Sequence, residues 1–295
     1  MRHGRFLIAA LAAMVILLPS GGTVLGAHPG HKLVDIRAMQ HRGHDRIVFE
    51  FKGGLPHETT ATWSFDEPLL VPSGLKSAAQ GNAFITLHFA YASGHDGTPP
   101  VSTYGPTVRA YDMRNLVQVK EIEDASADLA FAIGVMKKTW VTTDTALNPP
   151  RVIVEIGTDF DRVPVKVWFG DTTSYKGAAP YMDAVTRLVP ADLVVHSTLH
   201  RLFAGPTQAE KAMGLELVRS GAKDFTDLRI GDAGVARVQL TGGCALGPEP
   251  ISIGKEITRT LKADAFIDWV KIYDPAGETT DPHHAADSLP ECLIP

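Results

Sequence analysis

The sequence predicts two domains: an all-β, sandwich-like unit followed by an α+β unit. Three observations carry that expectation. The length of 295 residues exceeds the usual size of a single domain. Short alternating apolar segments separated by Gly, Pro and Asp clusters fill the first half. Segments with helix start and stop signals enter only in the second half.

The N-terminus reads as an export signal over residues 1–27. Arg2, His3 and Arg5 precede Phe6–Leu18, an unbroken apolar run of 13 residues. A membrane span needs about 20, so a cleaved signal fits better than an anchor. Small residues lead to the expected cleavage near Gly26 or Ala27. After cleavage no stable membrane span is expected.

Leu33–Arg37 alternates, and Arg46–Phe51 follows with Val, Ile and Phe. Further strands are expected at Thr60–Phe65, Phe84–Phe89, Leu116–Ile122, Leu129–Val135 and Val152–Ile156. Turn-rich stretches such as Ser93–Pro100 and Asn148–Pro150 separate them. Val34-Asp35-Ile36-Arg37, the run Gly43–Phe51, Tyr104-Gly105-Pro106 and Pro149–Val154 occur in an order that resembles the AMIN-like domain of bacterial envelope proteins. The resemblance covers residues 32–157. It implies a role in holding a protein at the cell wall.

Thr158–Arg162 reads as a boundary, and Pro164–Phe169 as the first strand beyond it. Asp192 or Ser197 is placed to cap a helix over Thr198–Ala204. Pro206 breaks it, and Thr207 with Glu210 three residues on forms a capping box for the next helix. Leu228–Ile230 and Val235–Leu240 flank a hairpin turn at Gly231–Gly234. A helix is expected at Ser252–Leu261 and a strand at Ile267–Tyr273. The segments Leu202–Thr207, Ala209–Leu215, Val235–Leu240, Gly243-Cys244 and Val270–Gly277 together resemble the GerMN (sporulation and spore-germination) domain, over residues 163–295. That resemblance implies an α+β scaffold able to self-associate, not a catalyst.

Cys244 and Cys292 are the two cysteines. In an exported chain they are expected to pair, a constraint worth about 4 kcal/mol by loop entropy. Free thiols or a shared metal are the alternatives.

The chain has no G-x-S-x-G elbow and no H-E-x-x-H zinc motif, so no catalytic residue and no cofactor is expected. A net charge of −5 leaves no basic field for nucleic acid. Candidate binding residues are Asp45 and Arg46, the aromatic–basic group Tyr104, Arg109, Tyr111 and Arg114, and Trp140 beside Lys137-Lys138. Rings stack on sugars and arginines pair with carboxylates of wall polymers. Loop packing is the plainer explanation of the same residue types. His28, His31, His41 and His44 form two H-x-x-H units, a weaker suggestion of metal binding for which tail and turn residues are the plain alternative.

The expected protein is a non-catalytic, exported envelope component. Its partners would be a cell-wall glycan or an envelope protein, with homo-oligomerisation as the alternative.

Overall fold

The computed structural model describes residues 30–125, 127–177, 179–231 and 233–294. The expected signal, residues 1–27, lies outside the described residues.

Strands β1 (His31–His41) and β2 (His44–Lys52) form a hairpin whose tight turn places Gly43 at φ 87°. Next come β3 (Glu58–Ser64), β4 (Ala83–Ala90), the short β5 (Ala92–Ser93), β6 (His95–Asp96), β7 (Val101–Ser102) and β8 (Val108–Ala110). The long strands β9 (Leu116–Ala125) and β10 (Asp128–Val135) then lead to β11 (Val141–Leu147) and β12 (Pro150–Gly157). One sheet has the order β11-β12-β2-β1-β5 and the other β3-β4-β10-β9-β8. Period-2 alternation sends Ile47, Phe49 and Phe51 inward from β2 to meet Leu87, Phe89, Phe131 and Ile133 from the facing sheet. Phe49 and Phe89 pack edge to face, with centroids 5.2 Å apart at 63°. The expected sandwich-like architecture of the first half is therefore observed.

The second half starts with the hairpin β13 (Arg162–Asp171) and β14 (Met182–Pro190). Helices α1 (Val194–Ala204) and α2 (Gln208–Ala212) follow, then β15 (Leu215–Glu216), β16 (Asp224–Ile230) and β17 (Val235–Thr241). Helix α3 (Ile253–Leu261) crosses to β18 (Trp269–Tyr273), which runs parallel to β17. A second core joins Val167 and Phe169 to Leu199, Leu202, Ile257 and Ile272. Buried Glu256 fastens α3 to the sheet by accepting the Gly170 and Val218 N–H groups at 2.7 and 3.1 Å. Burial pushes its carboxyl up to about 8.

The Thr207–Glu210 capping box forms in full, as expected. Helix α1, however, starts at Val194, with Leu193 at its cap position and no side-chain cap. Ser197 is therefore an interior residue, and its Oγ accepts a 2.7 Å hydrogen bond from Asn82. Asp192 instead pairs with Lys137 at 2.7 Å. Tertiary contact, not a cap, sets this helix start. Cys244 and Cys292 are joined, with Cα atoms 5.7 Å apart. The bridge holds the tail that runs along β18 through Ile272 N–H to Ser288 O and Ser288 N–H to Val270 O.

Helix α1 is the joint between the halves. Val117 and Met136 of the sandwich share a small core with Val189 and, less deeply, Val163 and Val194. Arg201 donates through Nη1 to Tyr111 O and Leu116 O at 2.8 and 3.1 Å, and through Nη2 to Met113 O and Leu188 O at 2.6 and 3.2 Å. Arg187 adds a bidentate pair to Glu210 and lies 3.7 Å from Asp112 of the sandwich. Immediately before Arg201 on α1, buried His200 has Nδ1 3.0 Å from Gln80 Oε1 and packs on Phe225. Burial, helped by neighbouring His196, pushes the His200 imidazole down to about 3 from its ordinary 6.5.

A group whose folded pKa is depressed in this way favours folding while neutral. For His200 that stabilisation is complete above the unfolded value near 6.5 and is lost as pH falls toward 3. Thermal denaturation from pH 7 to pH 4 should therefore show a steeper fall for the native protein than for His200→Gln. The difference should approach about 1.4 kcal/mol per pH unit. Parallel curves would show that His200 does not carry this acid sensitivity.

Candidate functional site

The expected binding residues separate into a structural set and a surface set. Asp45 is fully buried, and its Oδ2 accepts Asn115 N–H at 2.7 Å and Leu116 N–H at 2.9 Å. It starts β9 and is not part of a binding surface. Tyr104 is 4% exposed, its ring lies in the sandwich core, and its hydroxyl donates to Glu121. Burial, and then the Glu121 carboxylate, raise that hydroxyl's pKa. Arg109 spends its donors on Ile36 O, Tyr104 O and Pro106 O. Tyr111 packs against the same core, and burial raises its pKa as well. The aromatic–basic composition of residues 104–111 thus serves loop packing: the Tyr104 hydroxyl, the Arg109 donors and both tyrosine rings hold an irregular segment against the sheets.

Arg46, Arg114 and Trp140 behave differently, and the fold gathers them at one end of the sandwich. Register places His41 opposite His44 across the β1–β2 turn, and Arg46 beside Glu155 on β12. Arg46 donates through Nε and Nη2 to Glu155 Oε1 at 2.9 and 2.5 Å. His44 Nε2 stands 3.4 Å from the same oxygen. The His41 and His44 rings stack with centroids 5.0 Å apart, and Trp140 lies 6.0 Å from His44. Arg114 Nη1 reaches toward His41 O at 3.5 Å. Trp140 is 48% exposed. Its indole lies so close over Gly157 that a Cβ there would meet ring atoms at 2.5–2.8 Å. A glycine is what lets the ring lie flat. His41 Nε2 is buried without a hydrogen-bond partner.

Such an arrangement can stack a sugar on the indole and offer it imidazole, guanidinium and carboxylate partners. Arg46, Arg114 and Trp140 were legible from residue type; Glu155 and Gly157 were not. Their signal lay in pairing register, with Gly157 opposite His44, and register is not visible in a single strand. The four histidines do not form one metal site. His28 lies outside the described residues, and His31 and His41 stand at opposite ends of the same 11-residue strand.

The family model of the AMIN-like domain matches residues 31–158. An AMIN-like domain therefore occupies the first half of the chain, and the site described above lies within it. AMIN-like domains are generally associated with peptidoglycan or cell-wall binding. This association and the disulfide both fit an extracytoplasmic location. No curated protein and no solved structure matches the chain. Among the described residues, no helix is long and apolar enough to cross a membrane.

The two sets should respond differently to truncation. Asp45→Ala strands two buried N–H groups and should cost roughly 3 kcal/mol in denaturant unfolding. Arg114→Ala, which removes one long contact, should stay within about 1 kcal/mol. Equal losses would show that the surface set is structural too.

Proposed function

We propose that this is a non-catalytic, exported envelope protein that attaches to wall glycan through the AMIN-like domain and presents its second unit to a protein partner. The observation that carries the reading is the half-exposed Trp140 ring, laid on Gly157 and flanked by His44, Arg46 and Glu155. An aromatic platform with charged neighbours is suited to an amino sugar bearing peptide carboxylates. In this reading residues 163–295 form a scaffold of the GerMN type. Their sequence motifs support that likeness, and the domain type alone implies no part in sporulation.

Co-sedimentation with insoluble peptidoglycan sacculi tests the proposal. The protein should pellet with sacculi, and Trp140→Ala should reduce the bound fraction by roughly tenfold, the scale expected when a stacking platform worth about 1–3 kcal/mol is lost. A native protein that stays in the supernatant would sink the glycan reading.

A second reading, self-association through the C-terminal unit, has its own observation. Phe266 is 85% exposed beside the β16–β17 turn, where Ile230 is also exposed. Exposed apolar groups of this size favour contact with another surface. Light scattering over a concentration series should show mass rising for the native protein but not for Phe266→Glu. A constant monomer mass would dismiss this reading.

A further inference from the structure

At the opposite end of β1 from Trp140, a β-bulge builds a second polar cluster. Pairing between β9 and β10 slips between Glu123 opposite Ala130 and Glu121 opposite Phe131, leaving Ile122 as the extra residue. In a regular strand, side chains three positions apart point to opposite faces. The bulge turns Glu121 and Asp124 toward the same place. His95, on β6, reaches both: its Nδ1 is 2.6 Å from Asp124 Oδ2 and 3.8 Å from Glu121 Oε2. One donor atom from each of the three residues lies within 4.8 Å of the others.

Glu121 and Asp124 are 13% and 9% exposed at the side chain, and His95 is their ion-pair partner. The neighbouring cations are engaged elsewhere. Lys32 pairs with Asp96 at 2.5 Å, and Arg109 sits 5.7 Å from the Tyr104 ring centroid with its donors on backbone carbonyls. Two carboxyl groups thus share one imidazole in a partly buried place. The carboxylates are also held in position. Asp124 Oδ2 accepts Gly94 N–H at 2.8 Å and faces Ser93 Oγ at 3.4 Å, and Tyr104 O–H donates to Glu121 Oε2. Outer partners of this kind orient metal ligands. A cavity of about 360 Å³, lined by Ser93, His95, Asp96 and Asp124 among others, opens beside them and gives an entry path.

We propose that His95, Glu121 and Asp124 bind a divalent metal ion of the zinc class. One imidazole nitrogen and two carboxylate oxygens form a ligand set that zinc accepts, with a fourth position left for water from the cavity. A proton carried on the His95 Nδ1–Asp124 Oδ2 contact leaves for solvent when the ion binds. Tetrahedral bonds of about 2.0–2.2 Å set ligand atoms roughly 3.3 Å apart, so the two atoms move apart only slightly. Bound there, the metal would tie the β6–β7 loop to β9, far from the Trp140 end. The proposal is independent of glycan binding.

The test is calorimetric titration of the purified, metal-stripped protein with Zn²⁺, with thermal denaturation run alongside. The native protein should bind one equivalent and melt at a higher temperature in Zn²⁺. Glu121→Gln and His95→Gln should each weaken binding by at least roughly tenfold and abolish the melting shift. The double variant His41→Gln/His44→Gln should bind as the native protein does, which separates this cluster from the stacked pair. Unchanged binding in both Glu121→Gln and His95→Gln, or no heat and no shift in the native protein, would overturn the proposal. If one of these variants does not fold, Asp124→Asn takes its place: lost Zn²⁺ binding supports the site, and unchanged binding overturns it.

Discussion

A buried guanidinium with no carboxylate in reach has to be met by carbonyl oxygens or pay a large desolvation cost. The two Nη groups of Arg201 find four: Tyr111, Met113 and Leu116 from the sandwich and Leu188 from the hairpin beside it, while Nε is buried without a partner. Burial pushes it down to about 10, which leaves it charged at neutral pH. The constraint reaches outward in both directions. Three carbonyls of residues 111–116 must converge on one point, which fixes an irregular segment that no ladder would hold. On the far side of that segment Asp45 takes the N–H groups of Asn115 and Leu116. The Leu116 peptide groups are thus clamped between a buried anion and a buried cation, and each bond polarises the next. Without Arg201, the sandwich would lose the contact that shapes its loop, and α1 its strongest anchor on the sandwich.

This arrangement explains what could be read in the sequence and what could not. Strand alternation and the Thr207–Glu210 box are local, so the fold class and the α2 start were legible. The disulfide was the expected pairing of the two cysteines, with free thiols or a shared metal as the alternatives, and it is the pairing observed. Arg201 gave no local signal, because its sandwich acceptors are backbone atoms 85–90 positions away. The start of α1 was missed for the same reason: its first turn is held by contacts across the joint, including Ser197 with Asn82. For Tyr104, Arg109 and Tyr111 the plainer of the two readings holds, and residue type alone could not separate them, because a tyrosine and an arginine that pack a loop have the same one-dimensional appearance as a pair that binds a sugar. Asp45 was misread because burial is a property of register, and register emerges only once β2 has neighbours on both sides. Glu121 and Asp124 lay hidden behind a bulge, since an uninterrupted strand reading puts them on opposite faces.

The same joint decides which surfaces of the sandwich stay free. Tyr111, Met113 and Leu116 are engaged by Arg201 of α1, and Val117 and Met136 pack against Val189 of the β13–β14 hairpin, which leaves Arg114 to the Trp140 end. The loop most suggestive of ligand binding is therefore spent on internal contact. What remains is the β1–β2 turn with Trp140, and the edge strand β11, whose Thr142–Thr145 are exposed. An edge strand offers unpaired backbone groups, and a polar, threonine-rich one is a safer surface than an apolar one. Trp140 lies just before β11 and next to Gly157 at the end of β12, so the ring and the edge belong to one face. A polymer strand lying along that face could meet the indole, Arg46 and the threonine row without disturbing the joint. The second unit, anchored through Arg201 by a different set of residues, keeps its outer helices and Phe266 free for another contact. Two separate faces are what the proposed wall-to-protein link requires, and in this fold the separation follows from where a single buried arginine finds its acceptors.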